Sequence, residues 1–293
     1  MRNAESPVYI AVANLKGGTG KTTIVAWLAY ALAYIGRRVV MVDLDPQAHL
    51  TNIWLKFEPD KTIEPNIWSY IYGYKSEDLL KKVDKVLDLR LIPSDIIEYF
   101  QYWTESRTPD TLKATEGLTN LRKEIALRRK GSYDYVIIDC PPDPAYAKIG
   151  VYAADYVIVP TDLTELSLRG TYLFTTSLLL TTMERVKRIH MLGIVINRVF
   201  RRVISKDARK WLNSIEAKLK ARSRENIELG RRIYNPILFN TIIPQNKDIN
   251  KIILKRERAI PKAFRKGDRV AEIFKQLAQE VELRIMYFKP LIQ

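Results

Sequence analysis

Short apolar runs rich in β-branched residues recur along the chain, alternating with segments whose apolar residues repeat at helical spacing. The first run, Val8–Ala13, gives way at once to a Gly-rich segment. A short, uniformly apolar, β-rich stretch of this kind predicts a strand buried on both faces. A helix is expected to begin near Gly20, to carry Ala26, Ala29 and Ala33, and to stop near Gly36, a residue suited to a helix C-terminus. Further strands are expected over Arg38–Leu44, Leu87–Ile92, Tyr135–Asp139, Tyr156–Pro160, Met191–Asn197 and Ile237–Ile243. Helical patterns separate most of them, so the expected fold class is α/β: a doubly wound, mainly parallel sheet with helices on both faces. Residues 52–133 fit the alternation least. They hold four prolines (Pro59, Pro65, Pro93 and Pro109), a short helical pattern at Ser76–Val86 with Ser76 as N-cap, and a longer one at Thr111–Arg129. They read as a helical elaboration around one strand. With no internal repeat and no Gly/Ser linker, residues 1–293 are expected to form one domain.

Composition narrows the class. Apolar residues make up 47% and charged residues 28% of the 293, which argues against disorder. No apolar run approaches the roughly 20 residues that span a bilayer, and the N-terminus lacks the pattern of a secretory signal, so a cytoplasmic location is expected. One cysteine, Cys140, and two separated histidines, His49 and His190, offer neither a disulfide nor a zinc or iron–sulfur cluster. The charge is unevenly placed. Residues 185–293 hold 27 of the 48 Lys and Arg but only 10 of the 33 Asp and Glu, so the formal excess of +15 arises entirely in this basic C-terminal third. Such asymmetry suits a polyanionic partner, although a solvated basic surface would give the same count.

The chemistry-bearing segment is Lys16-Gly17-Gly18-Thr19-Gly20-Lys21-Thr22-Thr23, placed where a strand yields to a helix. Glycines there let backbone N–H groups converge on phosphate oxygens, and the helix N-terminus adds positive potential. Lys21 would reach the β- and γ-phosphates, and the Thr22 hydroxyl could ligate Mg²⁺. The general phosphate-loop pattern is not met, because Leu15 stands where its first glycine belongs and Lys16 precedes a Gly-Gly pair. Two other strands end in acids: Asp43 and Asp45 in Val39–Gln47, and Asp139 in Tyr135–Pro142. Ligands of open α/β sheets bind at that carboxyl edge, where Asp139 would hold Mg²⁺ through water. Taken alone, the first two acids could equally be solvated strand caps.

KGGTGKTT resembles the deviant Walker A motif of the ParA/MinD group of ATPases, and Lys16 falls on the group's signature lysine. DLDPQ and IIDCPP are similar to two further motifs of the ParA family, and weaker likenesses at Pro160, Glu165, Ser167, Leu168 and Gly170 extend the resemblance from about Val8 to about Val281. The resemblance implies an ATPase with ATP and Mg²⁺ as cofactors, Asp43 ordering the metal site and Asp45 positioning the attacking water. It implies a homodimer with two nucleotides at its interface, each reached by the partner's signature lysine. Asn197, Pro244 and Asn246 fall on adenine-facing positions of relatives. With seven residues ahead of the first strand, no N-terminal helix-turn-helix module is expected.

The family's ATP dimers bind DNA non-specifically through basic residues. Carried over, this singles out Arg198, Arg201, Arg202, Lys251, Lys255, Arg256 and Arg258 as DNA contacts, with a nucleoid-associated protein and a ParB-like centromere-binding partner that stimulates hydrolysis. A MinD-like membrane ATPase shares the nucleotide machinery, and the amphipathic Val270–Phe288 would be its anchor; a helix packed on the sheet gives the same pattern. A small-molecule kinase or synthetase would need a substrate constellation absent from the sequence pattern, and a non-hydrolysing ATP-gated DNA binder would not need Asp45 and Lys21. The basic third carries no base-reading motif, so its binding to DNA is expected to be sequence-independent. If roughly six phosphates are neutralised, log affinity measured against log salt will fall with a slope of about −5.

Overall fold

Seven strands assemble in the computed structural model, which describes residues 6–55, 61–74, 77–106, 111–128, 133–200, 204–247, 249 and 259–288. They are β1 (Val8–Val12), β2 (Val39–Asp43), β3 (Lys81–Lys82), β4 (Leu89–Ile92), β5 (Tyr135–Asp139), β6 (Tyr156–Thr161) and β7 (His190–Ile196). Their order across the sheet is β3-β4-β2-β5-β1-β6-β7, and every pairing is parallel except β3 with β4. Parallel strands need covered faces, which is why these runs are apolar throughout rather than alternating.

Each strand sends successive side chains to opposite cores. Ile10 and Val12 of β1 join Val39, Met41 and Ile137 on one face, whereas Tyr9 and Ala11 join Val40, Val42 and Val136 on the other. The first core is closed by α1 (Lys21–Tyr34), α2 (His49–Trp54), α11 (Ala259–Lys266) and α12 (Arg269–Phe288). The second is closed by α3 (Ile67–Ile71), α5 (Thr111–Arg128) and α6 (Pro144–Ala153), and by one long helix in three parts: α7 (Glu165–Leu173), a π-helical stretch (Phe174–Leu179) and α8 (Leu180–Arg185). The remaining helices are α4 (Ile96–Ser106), α9 (Lys206–Glu225) and α10 (Ile227–Arg231). Gly36 ends α1 as expected: at φ 87° it lets its own N–H reach Ala33 and that of Arg37 reach Leu32, the paired bonds of a Schellman cap.

Two expected elements are corrected. Over Ser76–Val86 no α-helix forms: the described part holds one 3₁₀ turn (Glu77–Leu79), the short strand β3 and a turn, and Ser76 itself lies outside the described residues. Asp84 decides this, because its carboxylate accepts the N–H groups of Val86 and Leu87 and so offers the backbone an alternative to helix. The elaboration at 52–133 therefore contains two strands, β3 and β4, not one. Over Ile237–Ile243 there is no strand but only an isolated bridge from Leu238 to Ile194. Buried Arg284 takes the carbonyls of Pro236 and Leu238, and Glu280 takes the N–H groups of Asn240 and Thr241, so side chains satisfy groups that a ladder would have used.

The C-terminal amphipathic helix packs on the sheet side of the molecule. Phe274, Leu277, Val281, Ile285 and Phe288 of α12 are buried, and Phe274 stacks on Trp27 of α1 with centroids 5.1 Å apart. Among the described residues, no helix is long and apolar enough to cross a membrane. The Gly-rich loop leads into α1, and α12 packs against α1. Phe274→Ala is expected to destabilise the fold by about 3–5 kcal/mol, read from the urea midpoint with an unchanged slope.

Candidate functional site

At the carboxyl edge of the sheet, the chain leaves β1 through Asn14 and Leu15 and turns through Lys16–Gly20 into α1. Gly18 and Gly20 sit at φ 79° and 90°, in the region that favours glycine. Gly20 has a second reason to lack a side chain, since a Cβ there would collide with the Asn197 amide. Lys21 folds back over the loop, its Nζ donating to the Lys16 carbonyl at 3.2 Å, and is only 6% exposed. Burial pushes its pKa down, against the pull of Asp139, the first of the nearby acids. Lys16 is half-buried, and its ammonium has no hydrogen-bond or ion-pair partner among the described residues. Gly17 and Gly18 are exposed; Thr22 and Thr23 are half-buried in the first turn of α1.

Beside the loop, the parallel register sets Asp43 directly against Asp139 across β2 and β5, with Val12 of β1 on the far side of Asp139. Both carboxylates are buried. Asp43 is well supplied, accepting from the Thr51 N–H at 2.8 Å, the Thr51 hydroxyl at 2.7 Å and the Asp45 N–H at 3.2 Å. Burial still raises its pKa, with the Thr51 bonds opposing. Among the described residues neither oxygen of Asp139 has a partner within hydrogen-bond geometry, although the Thr22 hydroxyl is near enough to act on the carboxylate. Its pKa is raised well above the usual carboxylate range, first by burial and then by Asp43, with Thr22 and Lys21 pulling the other way. Asp45, on the turn after β2, accepts from Gln47 N at 3.0 Å.

An orphaned buried carboxylate beside a threonine hydroxyl and a lysine is a fit for a hydrated divalent cation. Among the described residues, no cluster of three acids, histidines or cysteines could hold a metal alone. Mg²⁺ keeps several waters and draws ligands from bound phosphates. Thr22, Asp43 and Asp139 are the groups that would hold it.

Two further contacts tie the loop to the sheet. Asn14 donates to the Pro160 carbonyl at 2.7 Å and to the Thr171 hydroxyl at 2.9 Å, and accepts from Lys16 N. Gly170 of α7 lies so close that a Cβ would come within 2.8 Å of the Lys16 Cβ. On the other flank, Asn197 donates to the Thr19 carbonyl at 3.0 Å, and Arg198 to the Gly18 carbonyl at 2.7 Å. Pro244 bridges to Val199, next to Arg198, and half-buried Asn246 follows two residues on. The structure thus gathers Lys16–Thr23, Asp43, Asp45, Asp139, Asn197 and Arg198. Arg201, Arg202, Lys251, Lys255, Arg256 and Arg258 lie outside the described residues. The sequence reading missed Asn14, Thr51 and Thr171. Asn14, a buried amide closing an apolar strand, was a visible signal, whereas nothing periodic marked the other two.

A family profile described as an AAA domain matches residues 8–191. The chain is 31% identical to the chromosome-partitioning ATPase Soj of Thermus thermophilus, over 94% of this chain and 96% of the other. The chain belongs to the ParA family of deviant Walker A ATPases. It is an ATPase, with ATP and Mg²⁺ as cofactors, and its kinship is to partition ATPases. Among solved structures it is similar to pNOB8 ParA, with a TM-score of 0.73 and 21% identity over 96% of this chain and 99% of that one. The same protein is solved bound to non-specific DNA, at a TM-score of 0.67. A cobyrinic acid a,c-diamide synthase from Mycobacterium smegmatis, with bound ADP and magnesium, shares 26% identity and a TM-score of 0.61 over 90% of this chain and 97% of its own.

The acidic pair makes a test of the ParA-family site. Raised carboxylate pKa values mean that the nucleotide-free fold binds protons that the unfolded chain has released, so its stability falls as pH rises from about 4 through the raised values. Asp139→Asn is expected to stabilise the nucleotide-free protein at neutral pH by about 1 kcal/mol and to flatten that decline, seen in denaturant titrations across pH. The same substitution will cut ATP turnover by roughly a hundredfold.

Proposed function

We propose that the chain is a ParA-type partition ATPase that closes into a homodimer around ATP, binds DNA non-specifically in that state and releases it on hydrolysis. Lys21 holds the β- and γ-phosphates. Asp45 orients the water whose oxygen attacks the γ-phosphorus as the bond to the β–γ bridging oxygen breaks, leaving ADP and phosphate. Bound Mg²⁺ supplies charge neutralisation on the phosphates, with Thr22, Asp43 and Asp139 around it. Asn197, Pro244 and Asn246 face the adenine.

The observation that carries the dimer is Lys16. The residue is half-buried at the loop with no acidic partner among the described residues, whereas Lys21, folded over the loop onto the Lys16 carbonyl, is the lysine assigned to the phosphates of its own chain. A second lysine so placed is best explained by the nucleotide of a facing copy. Closure would also bring two copies of the basic third together. The excess of 27 basic over 10 acidic residues in 185–293, and the structural likeness to a ParA solved on non-specific DNA, support the DNA reading. A ParB-like centromere-binding partner then stimulates turnover, so that a plasmid or chromosome follows the receding protein over the nucleoid in the cytoplasm. Among the described basic residues, Arg198 is bound to the phosphate loop. Arg201, Arg202, Lys251, Lys255, Arg256 and Arg258 remain the proposed DNA contacts.

Binding to long duplex DNA of arbitrary sequence, measured without nucleotide and with ADP, ATP or a non-hydrolysable analogue, tests this, with anionic liposomes as a parallel surface. Tight, salt-sensitive binding to DNA is expected only with ATP or the analogue, and Lys16→Ala will abolish it. ATP-dependent binding to liposomes and not to DNA would sink the partition reading in favour of a membrane-associated positioning ATPase.

A further inference from the structure

Three carbonyls of the phosphate loop are held by side chains. The Lys16 carbonyl accepts from Lys21 Nζ at 3.2 Å, that of Gly18 from Arg198 Nη1 at 2.7 Å, and that of Thr19 from Asn197 Nδ2 at 3.0 Å. In a planar trans peptide, the C=O and the following N–H point in opposite directions. Fixing these three carbonyls therefore fixes the aim of the N–H groups of Gly17, Thr19 and Gly20, away from the clamping side chains. None of those N–H groups has a protein acceptor among the described residues. Directed, unsatisfied backbone donors are what an anion-binding nest consists of.

Two of the three clamps come from adjacent residues at the end of β7, and the chain takes an uncommon backbone shape to present them. Arg198 has φ 57°, a left-handed conformation that side chains other than glycine's rarely adopt. Its N–H donates to the Asn197 carboxamide oxygen at 2.9 Å, which leaves the Asn197 amide nitrogen free for Thr19. Directly behind, Val199 N donates to the Ile243 carbonyl and Gln245 N to that of Val199, so the clamp is anchored to a second segment. Uncommon backbone geometry of this kind persists where the surroundings over-determine it, and it clusters at ligand clamps.

We propose that Arg198 is a positioning residue for phosphate binding: it holds the Gly18–Thr19 peptide so that the Thr19 N–H is aimed at the incoming phosphates before nucleotide arrives. The first arginine of the basic run 198–202 thus serves the nucleotide site and not the DNA surface. Binding gains because the loop's ordering cost is met during folding and not at the moment of association. The inference rests on the loop's taking the phosphates of ATP, and the wild-type arm below tests that separately.

The experiment is ADP·Mg²⁺ calorimetry without DNA, combined with amide hydrogen exchange on the nucleotide-free protein, for wild type, Arg198→Ala and Arg198→Lys. Arg198→Ala is expected to bind ADP roughly tenfold more weakly, the loss of one charge-assisted hydrogen bond. Exchange in the nucleotide-free state will quicken within residues 14–22 and nowhere else, with the melting temperature nearly unchanged. Arg198→Lys, which keeps a donor on a long stem, will recover part of both. Unchanged exchange in Arg198→Ala would overturn the proposal even if affinity fell, since the charge alone would then be acting on the phosphates. Wild-type ADP affinity in Arg198→Ala would likewise overturn it. Failure of the wild-type protein to bind ADP would instead bring down the nucleotide reading of the loop, while the exchange arm would still decide whether Arg198 orders it.

Discussion

Two carboxylates and an ammonium share a buried corner at the carboxyl edge of the sheet. Asp43 and Asp139 face each other in register, and Lys21 is folded in beside them. An unpaired buried charge costs several kcal/mol, against a total stability of about 5–15 kcal/mol for a domain, so such a corner survives only if the surrounding fold holds it. Much of the molecule can be understood as that support. Thr51, at the start of α2, gives Asp43 two hydrogen bonds that replace water. The strand order sets β2, β5 and β1 side by side, so that the two acids and the phosphate loop end at one place. Asp139, among the described residues, is without a hydrogen-bond partner, and a hydrated cation would meet it there.

The loop itself is short and rich in glycine, and nothing in its own sequence would keep it in one shape. Rigidity reaches it from three directions. After β1, Asn14 links it to Pro160 of β6 and Thr171 of α7; also on α7, Gly170 leaves no room for a side chain beside Lys16; after β7, Asn197 and Arg198 hold its carbonyls. Below it, α1 is buried on nearly every side and stacked through Trp27 on Phe274 of the C-terminal helix. The flexibility that glycine gives locally is thus removed by partners distant in sequence.

How much of this could be read in advance follows from the range of the interactions. Apolar runs bounded by glycine or acids gave β1, β2 and β5 almost to the residue, because a parallel central strand must be apolar throughout and the functional acids must stand at its end. The phosphate loop was legible for the same reason: its chemistry demands particular residues in one contiguous stretch. Legibility failed where side chains from elsewhere compete for the backbone. Asp84 turned a helical pattern into a turn, and Arg284 with Glu280 took backbone groups of the 236–241 segment, which keeps only a few backbone bonds to β7 and forms no regular strand. It failed again at the site's supports, since Thr51 and Thr171 are marked by neither spacing nor composition. Arg198 looked like one more cation in a basic run, and only its carbonyl partner sets it apart.

The π-helical stretch Phe174–Leu179 carries a consequence of a different kind. Upstream of it, Leu168 packs with Ile196, Ala208 and Leu212, and the Thr171 hydroxyl accepts from Asn14 beside the phosphate loop; downstream, Leu180 and Met183 turn into the second core. An α-helix advances about 100° per residue, so one residue more or less between those two faces would rotate one of them out of its contacts. The wider turn absorbs that angular mismatch, and the Thr175 and Thr176 hydroxyls donate back to the Thr171 and Tyr172 carbonyls in the last turn of α7. It works as a phase shifter between two facing requirements. The length of this helix is therefore fixed to a single residue, and a deletion that made it a more regular α-helix would leave the molecule worse packed.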